Sequence, residues 1–439
     1  MQHPERVQDA ERHRRMRAWV GLAVLAFLLR LTAALMTGSF HHPQLYEYDA
    51  MARSLLAGRG LVYVHHGVPY HSFVEPLYPL LCAGIYALTH GSTSAVLIVQ
   101  MIAGAATAML FSAIGERLFG RTVGVVSGLL VATHPGLVVY ASLKAHQLTF
   151  DILCFGIVFW QLLRLQDERT PRQSVWTGLA IGLSILERAT GIVWLVVGSF
   201  WLLLTTPQRH RAPGLQSVGL MILSAFLVVS PWLVRNAIIH HHFVFIRTNW
   251  EVFWRGNNPF ATGHSYVDAD RTVESLLPEA SVAALRALPD EFQQAHWFRD
   301  QAFAFIRTHP GTFVTLTLKK FYQFWWFAPQ SGLLYPRFWL QGYQAYYSLV
   351  LMCALLGFLQ LQGGGRPSHR HASLLIGMIL LGLSVIQSLY YVEGRHRWAI
   401  EPFLLLLAAF GVRGMSRLRT GGLSRGATHV KMAEESLSS

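Results

Sequence analysis

The chain has 439 residues, of which 52% are hydrophobic and only 13% are charged. Soluble domains carry about 25% charged residues, so this composition excludes an ordinary soluble protein and indicates one embedded in lipid. The formal net charge of +13 does not indicate nucleic-acid binding, because the arginines lie mainly at the ends of apolar runs, where they determine membrane topology.

The first apolar run, 18–37, follows a polar, arginine-rich start. It is longer than the core of a signal peptide and contains Arg30, which favours an uncleaved helix over a cleaved signal. The stretch 174–204 is interrupted by the charges of Glu187 and Arg188, so we predict two short helices there. Further runs that are long enough to span a bilayer are 95–115, 122–142, 147–164, 215–236, 343–361, 372–391 and 398–414.

These runs predict an all-α polytopic membrane protein with about ten transmembrane helices and both termini in the cytoplasm. Two shorter segments, 76–90 and 312–328, are expected to lie along the membrane surface, because only then do nearly all the short arginine-bearing loops face the cytoplasm. The predicted parts are a cytoplasmic tail 1–17, a transmembrane module 18–236 with an external loop 38–94, a large external loop 237–342 with an interfacial helix, C-terminal transmembrane helices 343–414 and a cytoplasmic tail 415–439.

This topology collects charged side chains from distant parts of the chain on the external face. Carboxylates that meet several cations beside a membrane indicate a site for a phosphate-bearing lipid. The residues concerned are Asp49, Glu75, Lys144, Arg188, Arg395 and Arg397.

A set of ordered motifs resembles bacterial GT-C glycosyltransferases over roughly residues 20–415. Most similar are the protein-mannosyltransferase-like enzymes, the lipid A aminoarabinose transferases and the rhizobial lipopolysaccharide-core transferases. The motifs are YEYDAMARSLLAGRG (Tyr46–Gly60), VEPLYPLLCAGIYAL (Val74–Leu88), GERLFGR (Gly115–Arg121), HPGLVVYASL (His134–Leu143), GLAIGLSILERATG (Gly178–Gly191), PWLVRN (Pro231–Asn236), TNWEVFWRGNNPFATG (Thr248–Gly263) and EGRHRWAIEPFLLLLAAFG (Glu393–Gly411).

The resemblance implies an enzyme of the bacterial inner membrane. It would transfer a sugar from a polyprenyl-phosphate donor to a glycan, lipid or protein acceptor on the non-cytoplasmic face, with inversion at the anomeric carbon. A hydroxyl that attacks this carbon needs a base, and the phosphate leaving group needs cations that balance its charge.

By resemblance, Asp49 is the expected general base, although it could also simply cap the helix that follows. Lys144, Arg188, Arg395 and Arg397 are the expected donor-phosphate ligands. The alternative for the arginines is anchorage beside lipid headgroups.

For further residues of the external face, the sequence predicts contacts but no chemical role. The local sequence around Asn257 and Asn258 predicts a turn. The resemblance implies that both residues contact the sugar or the acceptor. Lys319 and Lys320 are expected to contact headgroups, with contact to the donor phosphate as the alternative for one of them. Where relatives often carry an acidic residue after the third helix, this chain has Gln147, and Asp151 one turn later is a possible substitute.

No cofactor is certain, but a divalent metal is a hypothesis. By resemblance to the aminoarabinose transferases, Glu75 is a tentative ligand. The pairs His41-His42 and His65-His66 and the run His240-His241-His242 also fall on the external face. Adjacent histidines on one strand point in opposite directions, which disfavours two ligands from one pair.

Other function classes remain open at the level of sequence. A lipid or solute transporter would have as many helices, but it would carry polar residues within its spans or related halves. A glycan polymerase or ligase that uses polyprenyl-linked oligosaccharides, and a non-catalytic assembly subunit, are further alternatives.

Overall fold

The computed structural model describes residues 3–208, 211–331, 336–363 and 366–414. The predicted tail 415–439 lies outside the described residues, as do residues 209–210. The first half of the chain consists of α1 (His3–Met36), α2 (Glu47–Leu56), β1 (Tyr63–His65), β2 (Val68–Tyr70), α3 (Leu77–Thr89), α4 (Thr93–Phe119), α5 (Arg121–Thr133), α6 (Pro135–Leu143), α7 (Leu148–Glu168), α8 (Pro171–Glu187) and α9 (Ile192–Thr205).

The second half is also helical. It consists of α10 (Arg211–His240), α11 (Asn249–Arg255), α12 (Glu279–Arg286), α13 (Glu291–Thr308), α14 (Pro310–Trp325), α15 (Arg337–Gly363), α16 (Pro367–Ser388), α17 (Gly394–Trp398) and α18 (401–414).

Within the described residues, six helices are long and apolar enough to cross a bilayer, and a bent helix pair would make a seventh. The predicted count of about ten is therefore not confirmed. The six segments are His13–Met36, Thr93–Phe119, Leu148–Glu168, Ala212–His240, Arg337–Gly363 and Pro367–Ser388.

The predicted span 122–142 is a bent pair, in which α5 and α6 meet at 49°. The break has a local cause, because Pro135 cannot donate a backbone hydrogen bond and begins a new helix. The His134 side chain caps that helix by accepting a hydrogen bond from Leu137 N at 3.2 Å.

The interruption predicted within 174–204 is confirmed. The chain leaves the helix at Arg188, makes a single 3-10 turn over Ala189–Gly191 and starts α9 at Ile192. The segments predicted to lie on the membrane surface form α3 and α14, which are not among the six long apolar helices.

The two predicted external loops pack together as one layer. The backbone N–H of Arg247 donates to Ser72 O at 2.8 Å, and Thr248 Oγ1 donates to Phe73 O at 2.7 Å. Farther along, Tyr70 OH donates to Gln294 Oε1 at 2.9 Å.

Candidate functional site

Helix α2 carries two carboxylates, Glu47 and Asp49, in its first turn. The N-cap is Tyr46, so Asp49 lies inside the helix and does not cap it. Residues two positions apart on a helix point in different directions, and the two acids therefore meet different surroundings.

Asp49 is held by two neighbours. Arg53 Nε lies 3.0 Å from both of its carboxylate oxygens, and Tyr86 OH donates to Oδ1 at 2.6 Å. The structure thus places the residue predicted as the base in a contact between α2 and α3.

Glu47 instead lies within electrostatic range of cations from distant segments. Burial raises the pKa of this carboxyl, and the nearby charges of Arg395, His65 and Arg255 act in the opposite direction. Glu47 was not singled out from the sequence. The available signal was the helical phase of Glu47 and Asp49, which allows only one of them to face a given cluster.

Lys144 lies between α6 and α7, where its backbone pairs with Gln44 of the first loop. Its Nζ donates to Tyr46 OH at 3.2 Å and stands 4.8 Å from the centre of the Tyr140 ring. Burial lowers the pKa of Lys144, and the neighbouring charge of Arg395 lowers it further. The fold thus places Lys144 within electrostatic range of Arg395, the other predicted cation.

Arg395 belongs to the short helix α17. Its Nε lies 2.9 Å from Glu393 Oε2, and its Nη2 donates to Tyr391 OH at 3.0 Å. Arg255 stands over the ring of the same Tyr391, at 5.0 Å from its centre. Burial would raise the pKa of Glu393, but the charges of Arg395, His264 and Arg255 and the hydrogen bond from Ser265 together outweigh it and hold that pKa below its usual value.

Arg397 lies in a separate, buried environment. Its Nε lies 2.7 Å from Glu401 Oε1, and its guanidinium stands 4.0 Å from the centre of the Tyr347 ring. Glu401 also accepts hydrogen bonds from Tyr343 at 2.8 Å and contacts His134. The structure therefore does not bring Arg397 into the group formed by Glu47, Lys144 and Arg395.

Arg188 is ion-paired through Nη1 with Asp151 Oδ2 at 2.9 Å. Beside this pair, Glu75 Oε1 accepts a hydrogen bond from the backbone N–H of Ala189 at 2.7 Å. Burial raises the pKa of Glu75, and the hydrogen bond from Ala189 opposes that effect. Glu75 thus connects the first external loop to the break between α8 and α9.

Asn257 and Asn258 are buried and bonded internally. Asn257 donates to Phe253 O at 2.8 Å and Leu389 O at 2.7 Å, and Asn258 donates to Trp254 O at 2.8 Å. These contacts organise the turn after α11, as the local turn interpretation predicts.

Lys320 is fully buried, whereas it was expected to contact headgroups. Its Nζ donates to Gly256 O at 3.0 Å and Asn257 Oδ1 at 2.9 Å. The pattern did not predict this because Lys319 and Lys320 differ only in helical phase, and Lys319 is exposed.

Among the described residues, one group of side chains could hold a metal ion: His65, His66 and Glu251. Its ligand atoms lie within 4.8 Å of one another. Glu75, the predicted ligand, does not belong to this group.

Part of the chain matches a known protein family. Residues 70–234 match the model of the dolichyl-phosphate-mannose-protein mannosyltransferase family, which is less than half of the chain. No curated protein sequence matches the chain.

Solved structures are similar over most of the chain. The oligosaccharyltransferase AglB from Archaeoglobus fulgidus, in complex with an inhibitory peptide and a dolichol-phosphate, has a TM-score of 0.57 at 12% identity. The alignment covers 95% of this chain and 52% of that one, so this chain spans about half the length of AglB. The apo form gives a TM-score of 0.53 at 13% identity and covers 93% and 52%.

ArnT from Cupriavidus metallidurans, bound to undecaprenyl phosphate, has a TM-score of 0.44 at 13% identity, and the alignment covers 87% of this chain and 77% of that one. Because this TM-score is low, no conclusion is based on ArnT. The AglB structures exceed this level over nearly the whole chain. This chain therefore has the fold of the AglB structures, and the resemblance predicted from the motifs is confirmed.

Proposed function

We propose that this protein transfers a sugar from a polyprenyl-phosphate-linked donor to an acceptor on the non-cytoplasmic face of a bacterial inner membrane, with inversion. The observation that carries the proposal is the group formed by Glu47, Lys144 and Arg395. At the start of α2, Lys144 Nζ donates to Tyr46 OH at 3.2 Å, next to Glu47, and the charge of Arg395 acts on both Glu47 and Lys144.

The chemistry needs these two kinds of group. An acceptor hydroxyl oxygen attacks the anomeric carbon while the bond from that carbon to the phosphate oxygen breaks. The carboxylate takes the hydroxyl proton, and the electron pair leaves with the polyprenyl phosphate. Lys144 and Arg395 balance the negative charge that accumulates on this leaving group.

We assign the base to Glu47 because Arg53 and Tyr86 engage the carboxylate of Asp49. Burial raises the proton affinity of Glu47, which suits a group that must accept a proton. Asp49, the residue predicted from the motifs, is the second candidate for the general base. If Glu47 is the base, the role of Asp49 is to orient α2.

Three further predicted site residues receive supporting roles. Arg188 is proposed to stand at the edge of the donor site, with Asp151 as its counter-ion. Asn257 and Asn258 are proposed to shape the loop over the sugar.

The names of similar proteins support the donor class. The matching family is described by a dolichyl-phosphate-linked mannose, and AglB was solved with a dolichol-phosphate. Dolichol and bacterial polyprenols carry the sugar on the same kind of phosphorylated isoprenoid. The acceptor is a glycan, a lipid or a protein.

The first prediction is that Glu47→Gln reduces transfer about 100-fold or more, because it removes the base and keeps the side-chain shape. The assay measures transfer of labelled sugar from synthetic polyprenyl-phosphate donors to membrane extracts by purified protein in lipid nanodiscs. Asp49→Asn is the matched control and should retain more activity than Glu47→Gln.

Two results would overturn parts of the proposal. Loss of transfer in Asp49→Asn but not in Glu47→Gln, with both variants folded, returns the role of base to Asp49. Transport of the intact donor without release of polyprenyl phosphate would indicate a transporter.

A further inference from the structure

The hairpin of the first external loop has an unusual turn. Its two central residues, His66 and Gly67, both have positive φ, at 48° and 88°. This is the backbone of a two-residue turn that matches the twist of its strands. Glycine adopts it freely, but a histidine does so only at a cost.

The turn changes where the histidines point. Within one strand, the side chains of His65 and His66 would project to opposite faces. His66 lies beyond the end of β1, however, and its left-handed backbone brings its ring to 3.9 Å from that of His65, measured between centroids. Adjacent histidines on one strand were not expected to bind the same ion, but in this turn the two rings lie side by side and can do so.

A carboxylate from the other external loop meets both rings. Glu251 Oε2 lies 2.8 Å from His65 Nε2, and Oε1 lies 3.5 Å from His66 Nε2. Glu251 is only 4% exposed.

Among the nitrogen and oxygen atoms of this cluster, His66 Nε2 has no hydrogen-bond partner. His66 Nε2 is buried and makes no hydrogen bond in the structure, although its ring is held at the cluster by a costly backbone conformation. A buried nitrogen without a partner destabilises the folded state. Coordination to a metal would use the lone pair of that nitrogen.

We propose that His65, His66 and Glu251 bind a divalent transition-metal ion, preferably Zn²⁺, which joins the two external loops. Two imidazoles and one carboxylate form a donor set typical of zinc sites with a solvent molecule as the fourth ligand. Ligand atoms about 2 Å from a tetrahedral zinc lie about 3.3 Å apart, and here one ligand atom from each of the three residues lies within 4.8 Å of the others.

The surroundings are compatible with a bound cation. Arg255 lies 3.5 Å from Glu251, but its closer contact is with Glu274, which balances its charge. Both histidines remain about a quarter exposed, which leaves a path for the ion and for solvent.

The test measures metal content and affinity in the full-length, tag-free protein in detergent. Metal is removed with a chelator, Zn²⁺ is added back, and bound zinc is measured by elemental analysis and by competition with a chromogenic chelator. We expect one equivalent per chain, and at least about a 100-fold weaker affinity in His66→Ala and in Glu251→Gln, since even indirect partners of a metal contribute about 10–100-fold.

His41→Ala is the control, because His41 and His42 form an exposed adjacent pair in the same loop. This variant should bind zinc as the wild type does. Added Zn²⁺ should raise the midpoint of thermal unfolding of the wild type and of His41→Ala, and not that of Glu251→Gln.

Cobalt provides a second readout, because Co²⁺ in a tetrahedral site absorbs strongly in the visible range. We expect this absorption in the wild type and its loss in His66→Ala. Zinc affinity that is equal in the wild type and Glu251→Gln, or no binding in the wild type, would overturn the proposal and leave only the hydrogen bond between His65 and Glu251.

Discussion

Arg395 and Arg397 lie two positions apart on α17, and their surroundings differ in kind. Arg395 is partly exposed and shares Tyr391 with Arg255, next to the proposed site. Arg397 is almost fully buried against aromatic rings and forms its ion pair with Glu401. A buried ion pair that loses one partner leaves an uncompensated charge, whereas a partly exposed cation is available to a ligand.

This difference predicts separate effects of two equivalent substitutions. Arg397→Met should lower the free energy of unfolding by about 3 kcal/mol or more, because Glu401 keeps its charge without the guanidinium. Arg395→Met should weaken the apparent affinity for the lipid-linked donor about 10-fold or more, through loss of a charge-assisted contact. Thermal unfolding and donor titration measure both quantities, and identical profiles for the two variants would contradict the assignment.

Lys320 predicts a dependence of stability on pH. Burial lowers the pKa of Lys320 to about 7, from the value of 10.5 that applies to the unfolded chain. Between these values the unfolded state binds more protons, so the free energy of unfolding rises with pH. From pH 7 to 9 this contribution should grow by about 2 kcal/mol, and below pH 7 it should stay constant at its least favourable value.

The measurement is the midpoint of thermal unfolding at several pH values for the wild type, Lys320→Met and the control Lys319→Met. As the pH rises, the unfolding midpoint of the wild type should increase relative to that of Lys320→Met. The midpoint of Lys319→Met should change with pH as that of the wild type does, because Lys319 is exposed. Parallel curves for all three proteins would show that Lys320 does not titrate in this range.

At the scale of elements, glycines determine how closely helices α8 and α10 approach. A Cβ atom at Gly178 would overlap the backbone oxygen of Met221, and one at Gly182 would lie 2.6 Å from Val228 Cβ. Small residues four apart allow such close packing between helices in a membrane, where the hydrophobic effect does not drive helices together.

Gly178→Ala should therefore lower the free energy of unfolding by about 1–3 kcal/mol, the usual cost of an overpacked contact. Gly219→Ala on α10 is the control, because a Cβ atom at this position would meet only open space within 4 Å. The control should be neutral or stabilising, since alanine has a higher helix propensity than glycine. Equal thermal stability of the two variants would contradict close packing at Gly178.

At the scale of the whole molecule, the contacts between residues 38–94 and 237–342 place both loops on one side of the bundle. The membrane face on which they lie remains a prediction from the arginine distribution. Single cysteines at exposed positions test it with a membrane-impermeant thiol reagent. Arg59→Cys and Arg286→Cys should be labelled in intact cells, and Arg172→Cys only after permeabilisation.

The native cysteines Cys82 and Cys353 are buried, and Cys154 is partly buried. The unmodified protein therefore provides the background for this labelling. Labelling of Arg172→Cys in intact cells, with the two loop positions protected, would reverse the topology and move the proposed site to the cytoplasm.

The sequence alone determined the class of the protein, because apolar runs of membrane length identify helices without any knowledge of their contacts. It also located the break at Arg188, since paired charges are costly in lipid. It did not determine the bend at His134 or the number of long spans, because helix length depends on local breaks that apolar composition does not reveal.

The candidate site was also determined partly by the sequence and partly by the tertiary structure. The motifs identified α2, Lys144 and α17 as its parts, which depended on residue type and order along the chain. Only the tertiary structure decided that the charge of Arg395 acts on Glu47 while Asp49 pairs with Arg53, that Arg397 lies apart and that two adjacent histidines meet Glu251. These outcomes depend on helical phase, on a left-handed turn and on contacts between loops that lie far apart in the sequence, and residue types alone do not specify them.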